Sequence, residues 1–165
     1  MGINLIETVE LASDTASIEF ASVPQDGLDL YIEISGRTSE NGDYTVRVAF
    51  NNDTTNSNYY RMFLSVNNTS ATATSNADRL FGGLTVNGYT SPIHNTLTAR
   101  IFAYTSNYNK GYLTQFQSSD DGSSYRQMQT AGEWANSSAI ETIALIPEGN
   151  FLANSVASLY TITAD

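Results

Sequence analysis

The chain has 165 residues, enough for one domain with a core of its own, and its 7 Lys+Arg against 17 Asp+Glu give a formal net charge of -10. That balance excludes the clustered cations with which a nucleic-acid reader displaces phosphate counterions, and a sequence free of cysteine excludes disulfides, thiolate metal sites and cysteine nucleophiles together. No stretch reaches the roughly 20 apolar residues of a membrane span, and the opening MGINLIETVE lacks the basic flank and apolar run of a secretory signal, so the sequence predicts a chain made in the cytoplasm without export and without a membrane partner.

Alternation of apolar and polar residues with period 2 runs from one end to the other, and helical periodicity hardly occurs. The first candidate strands are INLIETVEL and ASIEFAS. In LDLYIEIS, Leu28, Leu30, Ile32 and Ile34 fall on one face and Asp29, Tyr31, Glu33 and Ser35 on the other, as a half-buried strand requires. YTVRVAF places Tyr44, Val46, Val48 and Phe50 inward, and YYRMFLSV places Tyr60, Met62, Leu64 and Val66 inward. RLFGGLTVNG follows. LTARIFAY sets Leu97, Ala99, Ile101 and Ala103 against Thr98, Arg100, Phe102 and Tyr104, so its outer face is partly aromatic and calls for a second layer or a partner. KGYLTQFQS, SYRQMQT, AIETIALI and VASLYTIT complete the series.

Turn chemistry separates these runs: Pro24-Gln25-Asp26-Gly27, Glu40-Asn41-Gly42-Asp43, Asn87-Gly88, Asn109-Lys110-Gly111, Asp120-Asp121-Gly122 and Glu148-Gly149-Asn150. About 8–10 short strands with no intervening helix predict an all-β fold, a single antiparallel two-sheet sandwich over residues 1–165. The polar stretches from Asn51 to Asn58 and from Asn67 to Asn76 read as loops at a sandwich end, where recognition surfaces usually lie.

Candidate chemistry is sparse. The one histidine, His94, has no metal-ligand or triad spacing around it and reads as a loop residue after Pro92. Carboxylates are numerous but scattered, and acid–base hydrolysis needs two of them facing across a cleft. Asp53, Asp120 and Asp121 offer oxygen ligands in NNDTTNSN and SSDDGSS, but neither loop has the ligand spacing of a calcium-binding EF-hand, so they read as turn builders. No catalytic, cofactor or metal residue is therefore assigned. Arg37, Arg47, Arg61, Arg100 and Arg126 lie in or beside strands, either pairing with carboxylates across the sheet or anchoring a subunit interface, where arginine is favoured over lysine. Tyr59, Tyr89, Tyr104, Tyr108, Tyr112 and Trp134 have two readings, core residues or platforms on which sugar rings stack. The abundance of Tyr, Asn, Ser and Thr suits an interface-forming β protein and equally suits plain strand and turn formation.

The segments ASIEFASVPQDGLDLYIEISGRTS, VRVAFNNDTTNSNYYRMFL and SSAIETIALIPEGNFLANSVASLYTI resemble a recurrent module of tailed-bacteriophage virion proteins. In that module a Pro-containing turn leads into a strand ending in Gly/Ala-Arg, an Asn-rich segment precedes a Tyr, and the chain closes on Gly-Asn-Phe followed by a Leu-Tyr-Gly-Ile strand. Here Val23 stands where the module has Ile before Pro24, and Thr161 stands where it has glycine after Tyr160. The resemblance implies a jelly-roll-like sandwich on the virion exterior, without enzymatic activity or cofactor. It implies a capsid decoration or cement protein, often trimeric, that clips onto the major capsid protein lattice. Arg100, Phe102, Tyr104, Tyr59, Arg61, Phe63 and Tyr160 are then the candidate interface. The alternative is a receptor- or carbohydrate-binding module of a tail or capsid fibre, with Asn52, Asp53, Asn58, Tyr59 and Trp134 as the glycan loops. A depolymerase ranks last, for want of a selected carboxylate pair.

Overall fold

A computed structural model of the chain describes residues 2–40, 45–86, 95–119 and 125–164. The calls on Tyr44, Tyr89, His94, Asp120, Asp121, the Asn87-Gly88 turn and most of the Glu40–Asp43 turn lie outside these residues.

The regular structure of the described residues is β apart from one turn of 3-10 helix at Asn56–Asn58, and it forms two antiparallel sheets facing each other. The smaller sheet runs in the order β2 (Ile18–Phe20), β12 (Ile143–Pro147), β4 (Thr45–Phe50), β7 (Leu80–Gly83). The larger begins with β1 (Gly2–Glu10), β13 (Val156–Thr163), β3 (Asp29–Thr38) and β9 (Asn95–Ile101). It continues through β10 (Lys110–Ser119), β11 (Tyr125–Trp134), β5 (Tyr59–Asn67) and β6 (Ser70–Ala77). A short strand, β8 (Thr85–Val86), pairs in parallel with the end of β3. The interleaving of β1-β13-β3-β9 in one sheet with β2-β12-β4-β7 in the other is the nested strand order of a jelly roll. The hairpins β5–β6 and β10–β11 are insertions that widen the larger sheet beyond β9. The thirteen strands among the described residues exceed the number the sequence predicts because β6 lies in a stretch that reads as a loop and RLFGGLTVNG divides into the short β7 and β8.

The core lies between the sheets, and it follows the alternation where one parity is clearly apolar. Leu30, Ile32 and Ile34 of β3 and Leu97, Ala99 and Ile101 of β9 are buried, opposite Ile18, Phe20, Val46, Val48 and Leu145 of the smaller sheet. Phe50 is the hub: its ring centroid lies 6.1 Å from that of Tyr59, 6.3 Å from Phe81, 6.2 Å from Tyr112 and 5.6 Å from Trp134. Each such fully buried aromatic contributes about 1.5–3 kcal/mol from water exclusion alone. Two glycines make this packing possible. A Cβ on Gly132 would stand 2.1 Å from Tyr112, and one on Gly82 would stand 2.3 Å from Leu97, so the large side chains lie directly over bare backbone.

Several expectations are corrected. In β5 the inward residues are Tyr59, Arg61 and Phe63, while Tyr60, Met62, Leu64 and Val66 face out. The pairing of β5 with β11 fixes that phase by putting Tyr59 beside Trp134. Leu28 is exposed because β3 begins only at Asp29, and Ala103, with φ 47°, sits in the turn that ends β9. The stretch from Asn67 to Asn76 is a hairpin whose second arm is β6, since alternating Ser, Thr and Ala suit a half-solvated strand as well as a loop. The Asn109-Lys110-Gly111 turn gives way to the start of β10 at Lys110. That residue, the only lysine, is buried. Its Nζ donates to the carbonyls of Tyr108 and Asn136, and burial lowers the amine below its ordinary pKa.

Candidate binding surface

The outer face of the larger sheet is where the structure leaves apolar surface uncovered. Met62 and Leu64 on β5 are 60% and 51% exposed, and Leu113 on β10 is 51% exposed. Register brings them together, because Met62 is opposite Ala131, Ala131 is opposite Leu113, and Leu64 is opposite Ala73 of β6. Val66 and Tyr60 continue the stripe along β5. From Met62 to Ala77 the sequence holds no charged residue, on a chain of net charge -10.

Toward β9 the face turns polar. A groove of about 600 Å³ crosses it, lined by Met62 and Leu64 of β5, Gln129 of β11, Leu113 and Gln115 of β10, Arg100 of β9 and Tyr31 of β3. Arg100 is held in place: its Nε and Nη2 donate to Asp29 Oδ2 at 2.9 and 2.6 Å, and its guanidinium lies 5.1 Å from the centre of the Phe102 ring. Asp29 also accepts from the Ala103 backbone N–H at 2.8 Å, which ties β3 to the turn after β9. Tyr160 packs beside Tyr31 at 6.0 Å between ring centres. Burial, and then the nearby Glu33 carboxylate, push the Tyr31 hydroxyl above its ordinary pKa, so it remains an uncharged phenol.

Of the predicted interface residues, then, Arg100, Phe102 and Tyr160 lie on this outer face. Tyr59 and Tyr104 are fully buried and Arg61 is 8% exposed, which corrects their expected place at the surface. Phe63 points inward and packs against the edge of the core. Tyr104 is an internal latch, its hydroxyl accepting from Gly27 N–H at 3.1 Å and donating to the Pro24 carbonyl. Arg61 reaches Asp78 at 3.0 Å and lies 4.8 Å from the centre of the Phe63 ring. Met62, Leu64, Val66 and Leu113 were not among the interface residues expected from sequence, which set the first three inward. The signal for them was present, since YYRMFLSV is apolar on both parities, and such a strand has two faces to cover.

The predicted glycan loop is organised by Asp53. Its Oδ1 accepts from Thr55 N–H at 2.9 Å, and its Oδ2 accepts from Asn58 Nδ2 at 2.8 Å and from Trp134 Nε1 at 2.9 Å. Partial burial alone would raise this carboxyl's pKa, but the hydrogen bonds from Trp134, Asn58 and Thr55 outweigh it and hold it below the ordinary value. The Tyr59 hydroxyl donates to the Asp53 carbonyl and accepts from Phe50 N–H, both at 3.0 Å. Asp53, Asn58, Tyr59 and Trp134 are thus brought together, but facing inward: Trp134 and Tyr59 are at most 1% exposed, and their rings stack on each other with centroids 6.4 Å apart. Asn52, at φ 59°, stays exposed in the turn. Among the described residues no group of three or more His, Cys, Asp or Glu converges as a cation site.

No protein-family model matches the chain, and no curated protein matches it either.

Proposed function

We propose that this chain is a non-enzymatic structural protein of a tailed-bacteriophage virion, a capsid decoration or cement protein that docks through the outer face of its larger sheet on the major capsid protein lattice. The observation that carries the assembly role is the uncharged aliphatic stripe of Met62, Leu64, Val66 and Leu113, exposed on a regular sheet. Exposed apolar surface of this kind, rimmed by polar groups such as Gln115, Gln129 and Arg100, marks a protein interface more often than a catalytic cleft. The virion assignment rests on the sequence resemblance, with which the jelly-roll strand order agrees. The aliphatic centre of the stripe favours a protein partner over a glycan, and the Tyr59–Trp134 pair on which the glycan reading rests is enclosed, with Tyr60 the one strongly exposed aromatic beside the stripe on β5.

Capsids lacking the protein, incubated with it and sedimented, test the reading. The expected result is stoichiometric occupancy of the pellet by the natural chain, with a Met62→Glu/Leu64→Glu variant left in the supernatant while its circular dichroism is unchanged. Binding that survives this variant removes the stripe from the interface. A natural chain that stays in the supernatant and binds saturably to a glycan array replaces the cement reading with an adhesin.

A further inference from the structure

Among the described residues four strands end the main paths of the two sheets, and three of them are blunted against pairing with another chain. In the smaller sheet β2 has 3 residues, and β7 has 4 and meets its neighbour with a register shift. In the larger sheet β1 is broken by a bulge between Leu5 and Glu7 and carries Glu7 and Glu10. Shortness, bulges and charge are the devices by which sheets avoid edge-to-edge association. The fourth edge, β6, has none of them. It is 8 residues of SATATSNA, paired with β5 without a register shift, exposed along its length apart from the half-buried Thr74, and free of charge and proline.

From this contrast we infer that β6 is a self-pairing edge, at which two copies of the chain join their larger sheets antiparallel across a two-fold axis. The occupant is a second copy because electrostatics select the place. Two chains of net charge -10 repel over most approaches, and the hairpin from Met62 to Ala77 is a stretch where they meet with no charge to bring together.

The register follows from the hairpin. Asn67 pairs with Ser70 across a two-residue turn with Asn68 at φ 51°, and such a turn closes on a hydrogen-bonded pair. Alternation along the ladder then aims the N–H and C=O groups of Ser70, Thr72, Thr74 and Asn76 at β5, and those of Ala71, Ala73, Ser75 and Ala77 at the open edge. Only one antiparallel two-fold register uses all four outward residues. It sets Ala71 opposite Ala77 of the second copy and Ala73 opposite Ser75, with Thr74 facing its own equivalent on the axis. Side chains keep their faces in that register, so the two aliphatic stripes become continuous. Pairing of identical antiparallel edges yields a dimer, in contrast to the trimer that the resemblance implies, and it is independent of any capsid.

Sedimentation velocity on the free chain from roughly 1 to 100 µM tests this, because a modest interface falls within that range. The expected result is a concentration-dependent species of twice the 17.9 kDa chain mass. Ala73→Glu/Ser75→Glu places like charges opposite each other and abolishes it, whereas Ala73→Lys/Ser75→Glu places opposite charges in register and retains it. Since the chain has no cysteine, Thr74→Cys supplies a single thiol at the axis, where facing Cβ atoms come within about 4.5–5.5 Å and mild oxidation links them. Thr8→Cys on β1 is the control. A monomer at every concentration, a three-fold species, or a dimer that links no faster through Thr74→Cys than through Thr8→Cys overturns the inference.

Discussion

Trp134 donates its indole N–H to the Asp53 carboxylate at 2.9 Å, joining the last residue of β11 to the loop that follows β4. The bond couples the hairpins that widen the larger sheet to the opposite sheet, and the same carboxylate also fixes Thr55 and Asn58. Replacing Asp53 with alanine removes all of these bonds and leaves the buried indole N–H unpaired. The expected cost is about 2–3 kcal/mol, read as a lower urea midpoint with unchanged m-value.

Two buried tyrosines give opposite expectations for the same change. The Tyr59 hydroxyl both donates and accepts, so Tyr59→Phe leaves Phe50 N–H without its partner and costs about 1–2 kcal/mol. The Tyr112 hydroxyl is buried with no hydrogen-bond partner among the described residues, so Tyr112→Phe is neutral or stabilising by a few tenths of a kcal/mol. Thermal unfolding of the two variants side by side checks the contrast.

Gly132→Ala forces a methyl group into the Tyr112 ring, which has no room to retreat between Phe50 and Phe81. Overpacking of this kind costs about 1–3 kcal/mol. Gly132→Ala combined with Tyr112→Leu should recover part of the loss, and a double-mutant cycle in urea measures the coupling.

Glu148 accepts from Thr45 Oγ1 at 2.8 Å and from Arg47 at 3.2 Å, and these contacts, the Thr45 bond foremost, hold its carboxyl below the ordinary value. A carboxyl depressed in the folded state contributes stability that is complete above the unfolded value, about 4.3, and is lost as pH falls through the lower folded value. Asp53 acts in the same direction. Stability is therefore expected to hold from neutral pH down to about 5 and to decline below about 4, with a shallower decline for Glu148→Gln. Urea titrations at a series of pH values measure the slopes.

Much of this fold was legible wherever one parity of a strand is plainly apolar, as in Leu30, Ile32 and Ile34 against Asp29, Glu33 and Ser35. β5 was not, because Tyr59, Arg61 and Phe63 look no more apolar than Tyr60, Met62 and Leu64. Alternation supplies a period without a phase, and here the neighbouring strand supplies the phase. Arg61 adds to the ambiguity, since an arginine reads as surface until Asp78 and the Phe63 ring are placed around it. Tyr59 and Trp134 misled in the other direction: adjacency to an Asn-rich loop suggested a ligand platform, and only the hub at Phe50 shows that their rings are structural. β6 escaped notice because SATATSNA has no hydrophobic contrast to read.

The burial of Lys110 has a practical consequence for mapping any contact of this protein by covalent labelling. With its single lysine enclosed and hydrogen-bonded, the folded chain offers no lysine amine to acylating reagents, so lysine-directed cross-linking records none of its contacts. Its many surface carboxylates make carbodiimide coupling the productive covalent probe, and acquired amine reactivity at Lys110 becomes a clean reporter of unfolding.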